Sequence, residues 1–229
     1  MTRDAFSHVR TWVFDLDNTL YPPEARLFDQ IEVRMTDWVM SALGTSRNEA
    51  NRLRNHYWET YGTTLAGLMR EHDVDPRGYL EHVHEISFHP LRADPVLAAR
   101  ISQLPGRKII YTNGTAPYAQ RVLEARGLSG SFDAIYGVEH ADLRPKPERA
   151  AFEMVFEKDG LDPALAAMFE DDARNLRAPH DMGMRTVHVA PIAAPADHIH
   201  FHTDDLSGFL SQLGSEGFSP STNRTTHSA

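Results

Sequence analysis

Two carboxylates and a hydroxyl, Asp15, Asp17 and Thr19, stand at alternate positions directly after the apolar run Trp12-Val13-Phe14. A short apolar run of this kind reads as a buried strand. Residues two apart in an extended chain project to the same side. Asp15 and Asp17 therefore share one space at the carboxyl end of the strand, where open α/β sheets bind their ligands. Two acids held together repel, and their burial is unfavourable unless a cation or a proton intervenes. The pattern points to a divalent-metal site, or to an acid paired with a nucleophile. A helix N-cap or a turn made by Asp17 or Asn18 would use the same residue types. The other strand ends decide between these readings.

Three further segments carry polar groups suited to phosphate chemistry. The run Lys108 to Thr112 ends in Thr112-Asn113-Gly114, a hydroxyl and backbone N–H groups just ahead of a helix, which suits an anion. Thr115 before Pro117 also gives that segment a plain capping role. Arg144-Pro145-Lys146-Pro147 sets a lysine on a stiffened loop, a means of fixing one positive charge. The run Ala166 to Phe169 ends in Glu170-Asp171-Asp172. Each segment alone is weak, but their order, each at or near a strand end, is informative.

The elements that must position them alternate. After Tyr21-Pro22-Pro23 the period becomes helical, with Leu27, Phe28, Ile31, Met35, Trp38, Val39 and Leu43 on one stripe closed by Gly44. A second helical segment runs from Ser46 to about His72 with a break at Tyr61-Gly62-Thr63-Thr64, and Asp75-Pro76 opens a third. No strand signal lies between Pro22 and about Arg92. From Asp94 onward, helices alternate with strands at 108–112, 134–137, 166–169 and 185–189, the pattern of βαβ units. The expected fold is α/β, a three-layer Rossmann-like parallel sheet core with an all-α cap domain inserted after the first strand. Residues 1–21 and 93–214 form the core on this reading, 22–92 the cap, and 215–229 a disordered tail. Residues 193–202 read as irregular. His198, His200 and His202 alternate there, and without an acidic companion at fixed spacing they read as a surface cluster, not a ligand set.

Composition narrows the function. Hydrophobic residues make up 41% of the 229 residues and charged ones 24%, ordinary for a globular protein. A formal net charge of −9 leaves no basic stripe for a nucleic-acid polymer. The absence of cysteine excludes disulfides and thiolate chemistry and fits a reducing cytoplasm. The first residues lack an apolar signal core, and no stretch approaches a membrane span. A cytoplasmic protein with no membrane partner is expected.

In this order the four segments resemble the haloacid dehalogenase-like (HAD) phosphohydrolase superfamily: D-x-D-x-T, a strand-terminal Thr, a Lys and paired acids. The helical insertion resembles its α-helical cap. Phe14 to Tyr21, Tyr61-Gly62-Thr63-Thr64-Leu65 and Tyr111-Thr112-Asn113-Gly114 are similar to the pyrimidine 5′-nucleotidase branch. The resemblance covers about residues 10 to 190. It implies Asp15 as the nucleophile that forms an aspartyl-phosphate, and Asp17 as the acid and base. It also implies Thr112, Asn113 and Lys146 around the phosphate, and Mg²⁺ on Asp15, Asp17, Asp171 and Asp172. The fourth segment departs from the pattern by its extra acid. By placement Asp172 and then Asp171 are favoured as ligands, with Glu170 a bystander. Charge supports the metal. Four ionised aspartates and a phosphate of about −1.5 to −2 face a single lysine, so a hard cation is needed. The expected partner is a small phosphorylated metabolite, a nucleoside monophosphate hydrolysed with pyrimidines preferred; the alternatives are a phosphatase or phosphomutase acting on another small phosphometabolite such as a sugar phosphate, and a non-catalytic phospho-aspartate signalling or binding domain. In the cap, Tyr57, Tyr61, Thr63 and Thr64 are the candidate base-reading residues, although Tyr57 and Tyr61 also fit simple helix packing.

Overall fold

The computed structural model describes residues 2–214. The expected tail, 215–229, lies outside them. Strand β1, Thr11–Phe14, is buried at all four positions and leads through Asp15 into the insertion. There α1 (Leu27–Leu43), α2 (Arg47–Tyr61), α3 (Thr64–His72) and α4 (Pro76–Val83) follow one another. Side chains of Ser46, Thr63 and Asp75 accept a backbone N–H at the starts of α2, α3 and α4, which satisfies groups the helix itself leaves unpaired. The chain returns through α5 (Pro95–Ser102), β2 (Arg107–Tyr111), α6 (Ala116–Ala125), β3 (Ala134–Tyr136), α7 (Arg149–Asp159) and β4 (Ala166–Glu170). It ends with α8 (Arg177–Asp181), β5 (Arg185–Val189), β6 (Phe201–Thr203) and α9 (Leu206–Ser211).

The six strands are parallel in the order β3-β2-β1-β4-β5-β6. The order reverses at β1, so a crevice opens at the carboxyl ends of β1 and its neighbours. Register aligns Phe14 with Ile110 on one side and Phe169 on the other. Asp15, one residue on, still bonds across the sheet, its N–H donating to the Phe169 carbonyl at 2.9 Å. Asp15, Tyr111 and Glu170 thus end adjacent strands at one level.

Alternation along β1 feeds two cores. Trp12 and Phe14 join one face, Val13 with Ile109 and Tyr111 the other. Phe14 and Phe169 stack at 4.6 Å between centroids. The first core runs on without a break into the insertion through Leu27, Ile31, Val39, Tyr57, Leu68 and Tyr79. Three details differ from the sequence reading. Residues 201–203, inside the stretch read as irregular to His202, form an edge strand held by backbone pairing with β5; three residues with a partly exposed face carry no apolar run to announce it. The helix expected from Ala173 to Met182 is a 3₁₀ turn, Ala173–Leu176, followed by α8, and Pro179 sits within α8. The helix expected to open at Pro147 begins at Arg149.

Helices α2 and α3 pack at a close approach set by Gly67. A Cβ there would lie 2.1 Å from the Tyr57 ring. Gly67→Ala is expected to force the two helices apart and cost about 1–3 kcal/mol, the usual penalty of overpacking. Urea denaturation of the two proteins measures it, and equal midpoints would contradict the packing assigned to Tyr57.

Candidate active site

The ammonium of Lys146 sits at the crevice and is 1% exposed. It donates to Asp15 Oδ1 at 2.7 Å, Glu170 Oε2 at 2.6 Å and the Tyr111 carbonyl at 3.0 Å. One acceptor comes from the end of each of β1, β4 and β2, and the three ammonium protons are all engaged. Burial opposes the charge on Lys146, but the Asp15 and Glu170 carboxylates outweigh it and hold the pKa above the usual lysine value. Asn113 fixes the loop that delivers this lysine. Its Oδ1 accepts from the Lys146 N–H at 2.8 Å and its Nδ2 donates to the Lys146 carbonyl at 3.1 Å. The side chain of Asn113 is therefore engaged with the Lys146 backbone. Thr112, 1% exposed, takes the Gly114 N–H on its hydroxyl at 3.0 Å.

Asp17 is placed differently from Asp15. Its Oδ1 accepts from the hydroxyls of Tyr21 and Tyr118, both at 2.6 Å. Burial, with the Asp15 charge second, pushes its pKa up to about 6, against the pull of the two tyrosine hydrogen bonds. Burial and the Asp17 charge raise both phenols, so they remain donors. Stacked on Tyr118 at 4.3 Å is His84, whose pKa burial lowers to about 4, so a neutral ring braces it. No spacing in the sequence announces Tyr118: it is an ordinary apolar position on α6 and reaches Asp17 only through the fold.

The ordering expected among the three consecutive acids changes. Glu170, read as a bystander, is 1% exposed, bonds Lys146, and accepts from the Asp172 N–H at 3.2 Å and Asn175 Nδ2 at 3.1 Å. Asp172, the favoured ligand, instead caps the following 3₁₀ turn and takes Arg174 in a two-pronged pair, with Nη2 at 2.7 Å and Nε at 3.1 Å. The physical reason is where the strand stops. Glu170 is the last residue of β4 and bonds Lys146, whereas Asp172, two residues on, is already the cap of the next turn and no longer follows the strand's alternation. Oxygens of Asp15, Glu170 and Asp171 all lie within 4.8 Å of one another. A set of hard carboxylate oxygens at that spacing fits Mg²⁺. Burial, with the charges of neighbouring acids second, raises the pKa of both Asp171 and Glu170.

Of the cap residues, Tyr57 is 2% exposed, packs over Gly67 and bonds His72 Nε2 at 2.6 Å, so it holds α2 to α3 and does not line the cavities beside the acids. Tyr61 donates to Glu71 at 2.5 Å and lies outside the cavities beside the acids. Thr63 and Thr64 do line one: a cavity of ≈ 370 Å³ between the insertion and the crevice, with Asp17 and Asn113 at its core side. A second cavity holds Asp15, Asp17, Lys146, Glu170 and Asp171. Phe28, Glu32 and Trp58 line both, so the two spaces adjoin. Arg174 lies over the Trp58 ring at 3.5 Å. The three histidines each find a separate partner: His198 the Ala173 carbonyl, His200 Thr186, and His202 the Ala190 carbonyl. Among the described residues they form no ligand group.

The chain belongs to the haloacid dehalogenase-like hydrolases, whose family model matches residues 9–183. It is 26% identical over 194 residues to Phosphate metabolism protein 8 of Saccharomyces cerevisiae, a match spanning 76% of this chain and 60% of that protein. The fold is similar to that of a HAD phosphatase from Thermococcus onnurineus, with TM-score 0.61 and 20% identity over 90% of this chain and 98% of that one. It is likewise similar to a HAD hydrolase of Bacillus subtilis bound to magnesium, with TM-score 0.56 and 16% identity over the same shares. Among the described residues no helix is long and apolar enough to cross a membrane.

Asp171→Asn tests the acid cluster without reference to any substrate. Acids with raised folded pKa values contribute stability below their unfolded pKa and lose it as pH rises through the folded one. At pH 8 in chelator the variant is expected to be more stable than the parent, on the order of 1 kcal/mol, with the difference closing near pH 4. Millimolar Mg²⁺ should raise the parent's melting midpoint and leave the variant's almost unchanged. Equal Mg²⁺ shifts would remove Asp171 from the metal site.

Proposed function

We propose that this protein is a Mg²⁺-dependent phosphomonoesterase acting on nucleoside 5′-monophosphates, pyrimidines preferred, through an aspartyl-phosphate. The observation that carries this reading is the junction of an acid–lysine centre with a small, mainly apolar cavity under the helical insertion. Asp15 Oδ2 is the free nucleophilic oxygen, since Oδ1 is held by Lys146. Asp17 carries the proton to the leaving oxygen and later takes one from water. Its pKa of about 6 suits both duties near neutral pH, and the two tyrosines keep its carboxyl aimed. Asp15 and Asp171, with the Asp17 backbone carbonyl, would hold the metal, with Glu170 beside them. A bound Mg²⁺ supplies charge neutralisation for the phosphate and its transition state. Lys146, by exchanging one of its three present bonds, would face the phosphoryl oxygens together with the Thr112 hydroxyl and the Asn113 backbone N–H, the role the Asn113 side chain leaves to its backbone.

Residues 22–92 act as the cap on this reading, and 1–21 with 93–214 as the core. The cavity under the cap is walled by Phe28, Ile31, Met35 and Leu80, faces suited to a flat ring. At ≈ 370 Å³ it stands at the lower end of the range of about 300–1,000 Å³ for small-molecule sites, which favours one ring over two. The net charge of −9 says nothing against a small phosphorylated substrate, whose recognition is local, and the cysteine-free composition fits a cytoplasmic place.

Asp15→Asn should fold and lose more than about a hundredfold in Mg²⁺-dependent phosphatase rate, some 2.7 kcal/mol or more; a smaller loss makes another residue the nucleophile. The substrate assignment is measured by kcat/KM over UMP, CMP, AMP, GMP and a set of sugar phosphates. The pyrimidine nucleotides are expected to lead, and a sugar phosphate ahead of all four would overturn the nucleotidase reading while leaving the phosphatase one.

A further inference from the structure

The turn that carries the acids after β4 is held by two histidines that the proposed reaction does not use. His188, on β5 and 3% exposed, lines the same cavity as Asp15, Lys146 and Asp171. Its Nε2 lies 2.9 Å from the Asp171 carbonyl oxygen. A carbonyl can only accept, so Nε2 carries the hydrogen and donates it. Nδ1 is buried with no partner among the described residues. A buried ring nitrogen left unpaired is costly, whereas an apolar side chain would pack the same place without that cost. Packing beside the His202 ring, 5.4 Å away between centroids, therefore does not explain a histidine here. The bond to Asp171 does.

That bond completes a clamp. The peptide joining Asp171 to Asp172 is planar and turns as a unit. Its carbonyl is held by His188, and its N–H donates to Glu170 Oε1 at 3.2 Å. Glu170 and His188 are register partners on β4 and β5, so the two side chains grip this peptide from adjacent strands. Glu170 is itself fixed by Lys146 at 2.6 Å and Asn175 at 3.1 Å. Asp171 follows directly on β4, so the chain is held on both sides of its Cα. Its Cβ then has one direction, and a carboxylate oxygen of Asp171 lies within 4.8 Å of oxygens of Asp15 and Glu170.

We infer that His188 is a positioning residue for the metal: by holding the Asp171 carbonyl it keeps the Asp171 carboxylate beside Asp15, where Mg²⁺ would be held. The inference rests on the metal site proposed above. It needs neither a charged ring nor a bond from the ring to the ion. His198 provides an internal comparison. Its Nε2 donates to the Ala173 carbonyl at 2.8 Å, so it braces the same turn without touching the peptide next to Asp171.

The experiment measures Mg²⁺ binding to the whole chain without substrate. Urea unfolding at one temperature and pH is repeated over a Mg²⁺ series, and the gain in stability gives the dissociation constant. The proteins are the parent, His188→Leu, His188→Gln and His198→Leu, each first stripped with chelator. Hydrogen-bonding partners that orient metal ligands are worth about 10–100-fold in metal affinity, so His188→Leu should bind Mg²⁺ at least about tenfold more weakly. Glutamine carries its amide nitrogen as far from Cβ as histidine carries Nε2, so His188→Gln should recover most of that loss. His198→Leu should lower the metal-free stability and leave the Mg²⁺ constant near the parent's. If His188→Leu does not fold, His188→Asn, too short to reach the carbonyl, takes its place. An unchanged constant in the variant lacking the donor, no recovery in His188→Gln, or equal weakening in His198→Leu overturns the inference and leaves the metal site standing. A parent that Mg²⁺ does not stabilise overturns the two together.

Discussion

Much of this molecule depends on one buried ammonium. Lys146 joins Asp15, Glu170 and the Tyr111 carbonyl, so it ties the ends of three adjacent strands to one point. A buried ion pair adds little net stability over an apolar replacement, because desolvation offsets most of the Coulomb gain. Its worth lies elsewhere. With two acids and one lysine in the dry crevice, the arrangement tolerates one partner's loss poorly, which fixes where each carboxylate can stand. Asp15 also lines the cavity between the strand ends. Asp171, outside the trio, adds the charge that makes a divalent cation the natural completion of the site.

The loop that carries Lys146 is in turn the surface on which the insertion rests. Gly62, between α2 and α3, has φ +87° and would place a Cβ 2.9 Å from the Lys146 carbonyl. Only a glycine allows that turn to lie on that peptide without strain. On the other side Arg174 bridges Asp172 and Trp58, pairing with the carboxylate while covering the indole and bonding the Trp58 carbonyl at 3.2 Å. The insertion is thus seated at both flanks on residues one or two places from the acid centre. A shift of the helices would be felt at the lysine loop and at the turn after β4. That coupling is how the walls of the cavity and the reacting groups keep a common frame.

The parts that were readable in the sequence are those that local chemistry dictates. Strands β1 to β5 are short apolar runs closed by polar groups, and the insertion is a helical period with caps at Ser46, Thr63 and Asp75. The D-x-D-x-T segment, Thr112, Lys146 and the acids after β4 fall at the ends of predicted elements, so topology alone brings them together. What stayed hidden depends on parity, rotation and distance. Glu170 and Asp172 stand two apart and would share a face in a longer strand; the end of β4 at Glu170 leaves Asp172 to cap the next turn. Tyr57 and Trp58 are neighbours on α2, yet one packs under α3 and the other opens on the cleft. Tyr118 and Tyr21 meet at Asp17 from positions 97 residues apart in the chain, a contact that periodicity cannot express.

A fold of this kind is shared with L-2-haloacid dehalogenases, one of which, from Xanthobacter autotrophicus, superposes with TM-score 0.59 at 15% identity. The sheet and the first acid are therefore not enough to assign the chemistry. The second acid and its surroundings separate the possibilities. A carboxyl raised to about 6 and clamped by two phenols serves a reaction in which a proton must reach a leaving oxygen and a water must then be deprotonated. Displacement of a halide needs no such donor, because the departing ion is stable without one. The two hydrogen bonds alone would favour the charged form of Asp17, and burial beside Asp15 opposes them. The balance leaves a carboxyl raised by burial and by Asp15 and lowered by two phenols, a setting suited to a group that both gives and takes a proton.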